Sequence, residues 1–181
     1  QATLGARDWM KDRDAIPAIE LKMQLHAAPA AAYRAVTSQT ELRKWFAPRV
    51  IMSRNIVSQE HGIDVTMKQL KATANQMVRY RWTRDVDPVQ DTVITFEISD
   101  KGAARSNTGE GITLTVSHDG WTDRAIRDRQ AEIWSQAFQS LGALLKGKSF
   151  KPWWEESSHK SNVRHLKFPA LVAAVDRMEK D

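Results

Sequence analysis

Cysteine is absent from the 181 residues. Disulfides, thiolate metal sites and a cysteine nucleophile are therefore excluded, and a reducing, cytoplasmic location is expected. No run approaches the ~20 consecutive apolar residues of a membrane-spanning helix. The start of the chain carries no long apolar stretch, so no signal peptide is visible; because the chain begins at Gln1, a removed leader or a trimmed form stays open. Charge of one sign is not concentrated either. The net charge is +5 and the basic residues are scattered, whereas nucleic-acid binders carry a basic stripe on a recognisable module, so nucleic acid is not an expected partner. There are no internal repeats and no low-complexity runs.

What is present is a globular composition, 41% apolar and 27% charged, in a chain long enough to bury a sizeable core. Tryptophan is the abundant aromatic, with 7 copies against 2 tyrosines; such large rings dominate cores and line pockets, so their positions matter.

The pattern divides the chain into an N-terminal extension (1–17), one domain (18–148) and a C-terminal extension (149–181). The first extension reads as a short helix around Leu4–Lys11 and a linker ending at Pro17. Ile19, Leu21, Met23 and Leu25 then alternate with polar residues, which predicts a half-buried strand. Pro29 opens a helix to Val36, and Ser38 or Thr40 caps a second short helix that Pro48 stops. Further strands are predicted over 49–57, 62–70, 76–84, 92–99 and 111–118, with Val78, Tyr80 and Trp82, then Ile94, Phe96 and Ile98, then Ile112, Leu114 and Val116 facing inward. One-sided alternation of this kind argues for an antiparallel sheet with one wet face. After Gly120, Ile126, Gln130, Ile133, Trp134, Ala137, Phe138, Leu141, Leu144 and Leu145 recur at helical spacing. Gly142 weakens that helix but allows close packing, and Gly147 suits its end. Beyond a loop at Trp153-Trp154, Pro169 opens a short helix with Leu171, Val172, Val175 and Met178 on one stripe.

Several segments together resemble a known family. They are Ala-Ala-Pro-Ala-Ala-Ala-Tyr-Arg-Ala-Val-Thr at 27–37, Glu-Leu-Arg-Lys-Trp-Phe at 41–46, Val-Arg-Tyr-Arg-Trp at 78–82, Thr-Val-Ile-Thr-Phe-Glu at 92–97 and Ile-Thr-Leu-Thr-Val-Ser-His-Asp-Gly-Trp at 112–121, followed by Ile133-Trp134 and Leu141 to Leu145. In that order, over 18–147, the chain resembles the START-like (SRPBCC) superfamily, and within it the bacterial proteins related to the activator of the heat-shock-protein-90 ATPase. The resemblance implies an α+β helix-grip fold: a curved antiparallel sheet wrapped around a long C-terminal helix, with two short helices after the first strand and an apolar cavity between sheet and helix. One stretch departs from the family. Residues between Pro48 and Val78 look short for its usual strands and lack its glycine-rich one.

The cavity supplies the candidate site. Gln130, Ile133, Trp134, Ala137, Phe138 and Leu141 on the helix are expected to face Met67, Tyr80, Trp82, Phe96 and Leu114 on the strands, with Tyr80 and Gln130 as placed polar groups. The same residues read equally well as a filled core, since interiors pack to about 0.75 density. Leu42, Trp45 and Phe46 anchor the short helices on the sheet, or form a lid over the cavity.

Constellations for catalysis are weak. Ser117, His118 and Asp119 are consecutive, and neighbours on a strand point to opposite faces, so they do not read as a converging triad. His159 and His165 are six apart, which fits no helical metal face. Asp85, Asp87 and Asp91 read as a solvated turn, and the charges from Asp123 to Glu132 as a solvated helix face. Arg79 and Arg81 point away from the core, with Glu97 as the expected cross-strand partner. No metal and no cofactor are expected. The functional expectation is non-enzymatic binding of a hydrophobic small molecule or lipid. The alternatives are a protein-interaction module, acting as a co-chaperone on a chaperone ATPase, and a cyclase or hydrolase using the cavity. Oligomeric state is open.

Overall fold

The computed structural model describes residues 15–60, 63–100 and 111–155. The helix expected around Leu4–Lys11, the histidines at 159 and 165 and the helix opened by Pro169 lie outside the described residues.

Among the described residues, seven strands form one antiparallel sheet. They are β1 (Ile19–Leu25), β2 (Arg49–Ile51), β3 (Ile56–Glu60), β4 (Ile63–Thr73), β5 (Met77–Arg84), β6 (Gln90–Ser99) and β7 (Ile112–Asp119), in the spatial order β1-β7-β6-β5-β4-β3-β2. Two short helices, α1 (Pro29–Thr37) and α2 (Gln39–Trp45), follow β1, and the long α3 (Arg124–Leu145) follows β7. This is the expected helix-grip architecture. The first and last strands are neighbours, in register from Ile19 opposite His118 to Leu25 opposite Ile112.

The segment 49–57, expected as one poorly alternating strand, is two. A 3₁₀ turn at Met52–Arg54 and Asn55 in the left-handed region (φ 52°) separate β2 from β3. Asparagine tolerates that conformation where a β-branched residue would not. The stretch that looked short therefore carries three strands, β2 to β4, because the turns are tight. In β4 the alternation shifts between Gln69 and Lys71; the bulge leaves Leu70 at 48% exposure, and Ala72 resumes the inward parity opposite Val78.

Pro29 occupies the first turn of α1, where its missing N–H costs nothing. Ser38 takes the N-cap position of α2 through its backbone alone, its carbonyl accepting from Leu42 N at 2.9 Å. At the other junction, Asp123 Oδ1 accepts from Ile126 N (2.9 Å) and caps α3. The buried Gln90 side chain braces this turn: its Oε1 accepts from the backbone of Thr122 (2.9 Å) and Asp123 (3.3 Å), and its Nε2 donates to Thr122 Oγ1 (3.0 Å). Past the helix, Gly147 (φ 69°) ends α3 with Gly147 N donating to Leu144 O and Lys148 N to Ala143 O, a Schellman closure.

Gly120, between β7 and α3, has φ +100°, and a Cβ there would meet Thr92 Cα at 3.3 Å. Gly120→Ala is expected to lower stability by about 1–3 kcal/mol. The check is a lower urea midpoint with an unchanged m-value.

Candidate functional site

The inward faces of β4 to β7 and the buried stripe of α3 enclose one interior. Met67, Tyr80, Trp82, Phe96 and Leu114 from the sheet are all buried, as are Gln130, Trp134, Ala137, Phe138 and Leu141 from the helix. Ile133 is half-buried at the edge of the stripe. Leu42, Trp45 and Phe46 are fully buried too. Phe46 and Trp45 lie 5.5 and 6.3 Å from Trp134, and Phe96 lies 5.8 Å from Trp134, ring centre to ring centre. The α2 aromatics thus reach the centre of the interior, at edge-to-face and tilted distances that favour attraction.

Two polar groups of this cluster end on backbone carbonyls. Trp45 Nε1 donates to Ala35 O (2.8 Å) and Tyr80 Oη to Val36 O (2.6 Å), so two carbonyls near the end of α1 are satisfied from inside the core. Burial, reinforced by Tyr33, pushes the Tyr80 phenol well above its ordinary range. Tyr80 therefore acts as a neutral donor to the backbone. Trp153, which reads from sequence as part of a loop, is buried and donates from Nε1 to Phe46 O (2.9 Å). Between α3 and this segment lies a hollow of about 170 Å³ lined by Gln136, Gln139, Ser140, Phe150, Lys151 and Trp153.

In the sequence, His118 reads only as one of three consecutive polar residues. It is fully buried, and it organises the second half of the interior. Trp134 Nε1 donates to His118 Nδ1 at 2.9 Å. An indole N–H only donates, so Nδ1 is the acceptor and the ring proton sits on Nε2. That proton goes to Thr92 Oγ1, 2.7 Å away, and the Thr92 hydroxyl donates onward to Trp82 O at 3.0 Å. Trp121 Nε1 closes on His118 O (2.9 Å), with its ring 4.3 Å from the imidazole. A second proton on the ring would set N–H against N–H at Trp134. Burial lowers the His118 pKa well below its ordinary value. The imidazole is a neutral link between β7, β6 and α3. The signal for it was in the sequence: 112, 114 and 116 point inward, and 118 continues that parity.

Among the described residues, the buried polar side chains are Gln90, Thr92, Thr113, His118, Gln130 and Ser140. None is a carboxylate, a lysine or an arginine. No group of three or more His, Asp or Glu among the described residues could hold a metal ion, and no helix among them is long and apolar enough to cross a membrane.

Charge lies on the outer surface. Arg81 pairs with Asp91 through two hydrogen bonds, 2.8 and 2.6 Å, and not with Glu97. Glu97 stands opposite Met77, too far along the strand, whereas Asp91 lies diagonal to Arg81. The Arg81 hydrogen bond holds the Asp91 carboxyl below the usual range. Arg79 Nε reaches Thr95 Oγ1 at 3.3 Å. Asp91 thus belongs to a strand pair rather than to a solvated turn.

Residues 26–146 match the family model described as Activator of Hsp90 ATPase homolog 1-like protein. The chain belongs to this family. No curated protein matches it. Solved structures agree on the fold. The protein MLL2253 from Mesorhizobium loti is 19% identical with a TM-score of 0.59, over 74% of this chain and 100% of that one. The Aha1 dimer from Colwellia psychrerythraea is 17% identical with a TM-score of 0.56, over 71% of this chain and 96% of that one. CalU16 from Micromonospora echinospora is 18% identical with a TM-score of 0.54, over 86% of this chain and 88% of that one. The family match ends before Trp153, so the buried contact of that ring with Phe46 is a feature added to the matched region.

Proposed function

We propose that this domain binds an uncharged hydrophobic molecule between the sheet and α3, without catalysing a reaction on it. The observation that carries the reading is the chemistry of the facing surfaces. Tyr80, Trp82 and Phe96 oppose Trp134, Phe138 and Leu141, and the polar groups buried with them are neutral. An ionised ligand placed there would lose its hydration with no buried opposite charge in return, which is prohibitive. Acid–base chemistry would need a proton donor and acceptor aimed at a substrate, whereas His118 has both ring nitrogens engaged and Tyr80 is committed to Val36 O.

The route in runs under α2. Its 7 residues end at Trp45, with Phe46 as the C-cap, and both rings reach Trp134 in the interior; the helix is fastened by the Trp45–Ala35 and Trp153–Phe46 bonds. α2 is the shortest helix over the interior, so it serves as the lid, with Leu42, Trp45 and Phe46 as its inner surface, and its opening exchanges those buried contacts for contacts with the ligand. The test is thermal unfolding with dodecanol and with dodecanoate at pH 8. Dodecanol at about 100 times its dissociation constant should add about 2.7 kcal/mol, and dodecanoate should add nothing. Equal stabilisation by both, or by neither, contradicts the reading.

The family's description favours one other reading, a protein-interaction module that stimulates a chaperone ATPase. Its contact would lie on the outer sheet face carrying Arg79 and Arg81, and it would leave the interior as a core.

A further inference from the structure

Gln130 is 4% exposed. Among the described residues, its Nε2 is the one buried side-chain nitrogen or oxygen with no hydrogen-bond partner. Interiors hold few such groups, because an N–H taken from water without a new acceptor is costly. The residue is also well placed. It precedes Trp134 by one helical turn on the buried stripe of α3, and Trp134 in turn is bonded to His118. One turn earlier, Arg127 donates to Pro17 O and Ala18 O, at 3.0 and 3.1 Å, and pins the start of α3 over the entry to β1. Gln130 therefore sits between a fixed helix start and the fixed Trp134–His118–Thr92 chain, on a well-anchored part of α3. An apolar residue of the same length would fill this position without penalty.

We infer that Gln130 is the hydrogen-bond donor to the bound molecule, and that this molecule is an uncharged, largely apolar compound carrying a neutral acceptor such as a ketone or ether oxygen. The inference rests on the apolar-ligand reading proposed above and specifies its chemistry. Other donors of the interior end on protein acceptors: Trp45 on Ala35, Tyr80 on Val36, Trp121 on His118, Trp134 on His118, His118 on Thr92, and Thr92 on Trp82. Among the described residues, Gln130 Nε2 is thus the buried side-chain donor left for a ligand oxygen. With no cation buried beside it, an anionic oxygen would be poorly compensated, and a neutral acceptor fits.

The test compares 2-acetylnaphthalene with 2-isopropenylnaphthalene, which share one heavy-atom skeleton and differ in a carbonyl oxygen against a =CH2 group. Affinities are read from tryptophan fluorescence for the wild type and for Gln130→Met, and the unliganded melting temperatures are recorded with them. The wild type should bind the ketone about 10-fold more tightly, the effect of one buried hydrogen bond. Gln130→Met should bind both alike, with unchanged affinity for the hydrocarbon. Its unliganded form should melt about 2–4 °C higher, because the unmet amide is gone. A wild type that binds both probes equally, or a Gln130→Met variant that keeps the ketone preference, overturns the role of Gln130 and leaves the apolar-site reading standing. An unliganded variant that melts lower, with no change in preference, assigns Gln130 to packing and overturns it too. A wild type that binds neither probe overturns the apolar-site reading and this inference with it.

Discussion

Replacing Trp153 by alanine is expected to cost about 3–5 kcal/mol, the range for truncating a large buried aromatic. The residue lies beyond the family match, yet it is 5% exposed and packs into the same core. Its Nε1 satisfies the Phe46 carbonyl at the end of α2, so the substitution removes both the ring and the partner of a buried acceptor. Trp153→Phe separates the two: it keeps most of the ring and should cost about 1–3 kcal/mol for the unmet carbonyl. Urea unfolding at neutral pH measures both. A change under about 1 kcal/mol for the alanine variant would mean that the segment after α3 is not part of the folded core.

Lowering the pH from 6.5 to 5 is expected to reduce stability through His118, by at most about 1.4 kcal/mol per pH unit. In the unfolded chain a histidine binds a proton below about pH 6.5. In the folded chain His118 stays neutral, its pKa lowered by burial, and its Nδ1 accepts from Trp134. The unfolded state therefore binds the extra proton throughout this window. Stability is complete above pH 6.5 and falls by about 1.4 kcal/mol per pH unit as the pH drops toward the folded-state pKa. Groups packed against the ring add no charge, since Trp82, Trp121, Trp134 and Thr92 surround it. His118→Gln keeps an acceptor toward Trp134 and a donor toward Thr92 but cannot be protonated. Its urea midpoints should lose the wild-type slope between pH 6.5 and 5. A variant that retains the slope would assign the pH dependence to other groups.

The fold was legible where one physical rule acted alone. Alternation over Ile19–Leu25, 78–82 and 94–98 placed strands and their inward faces, and the stripe from Gln130 to Leu141 placed the helix, because burial on one side selects for those periods. Reading failed where two rules competed. At 49–57 the apolar residues masked a chain reversal made by Asn55, a residue whose left-handed conformation leaves no mark in hydropathy. At Leu70 the bulge broke the parity, so an apolar residue faces water. At His118 polarity and parity conflict: the residue type points to the surface, although position 118 continues the inward set 112, 114 and 116. Trp153 is a single ring on an irregular segment, and its partner is a backbone carbonyl 107 residues away, for which sequence offers no period to read. Arg81 found Asp91 instead of Glu97 through diagonal register, a distance that propensity does not encode.

Alternation and helical spacing give the buried faces of sheet and helix, but not the hydrogen bonds between them. Those bonds leave an aromatic, uncharged interior in which, among the described residues, Gln130 Nε2 is the buried side-chain donor without a partner. The most direct measurement is native mass spectrometry of the protein purified without detergent, set against its denatured mass and an organic extract of the same sample. Added mass is expected in the native spectrum, released on denaturation and recovered in the extract as an uncharged, apolar, oxygen-bearing compound. A native mass equal to that of the bare chain, with nothing in the extract, would contradict the apolar-ligand reading and turn attention to the outer sheet face.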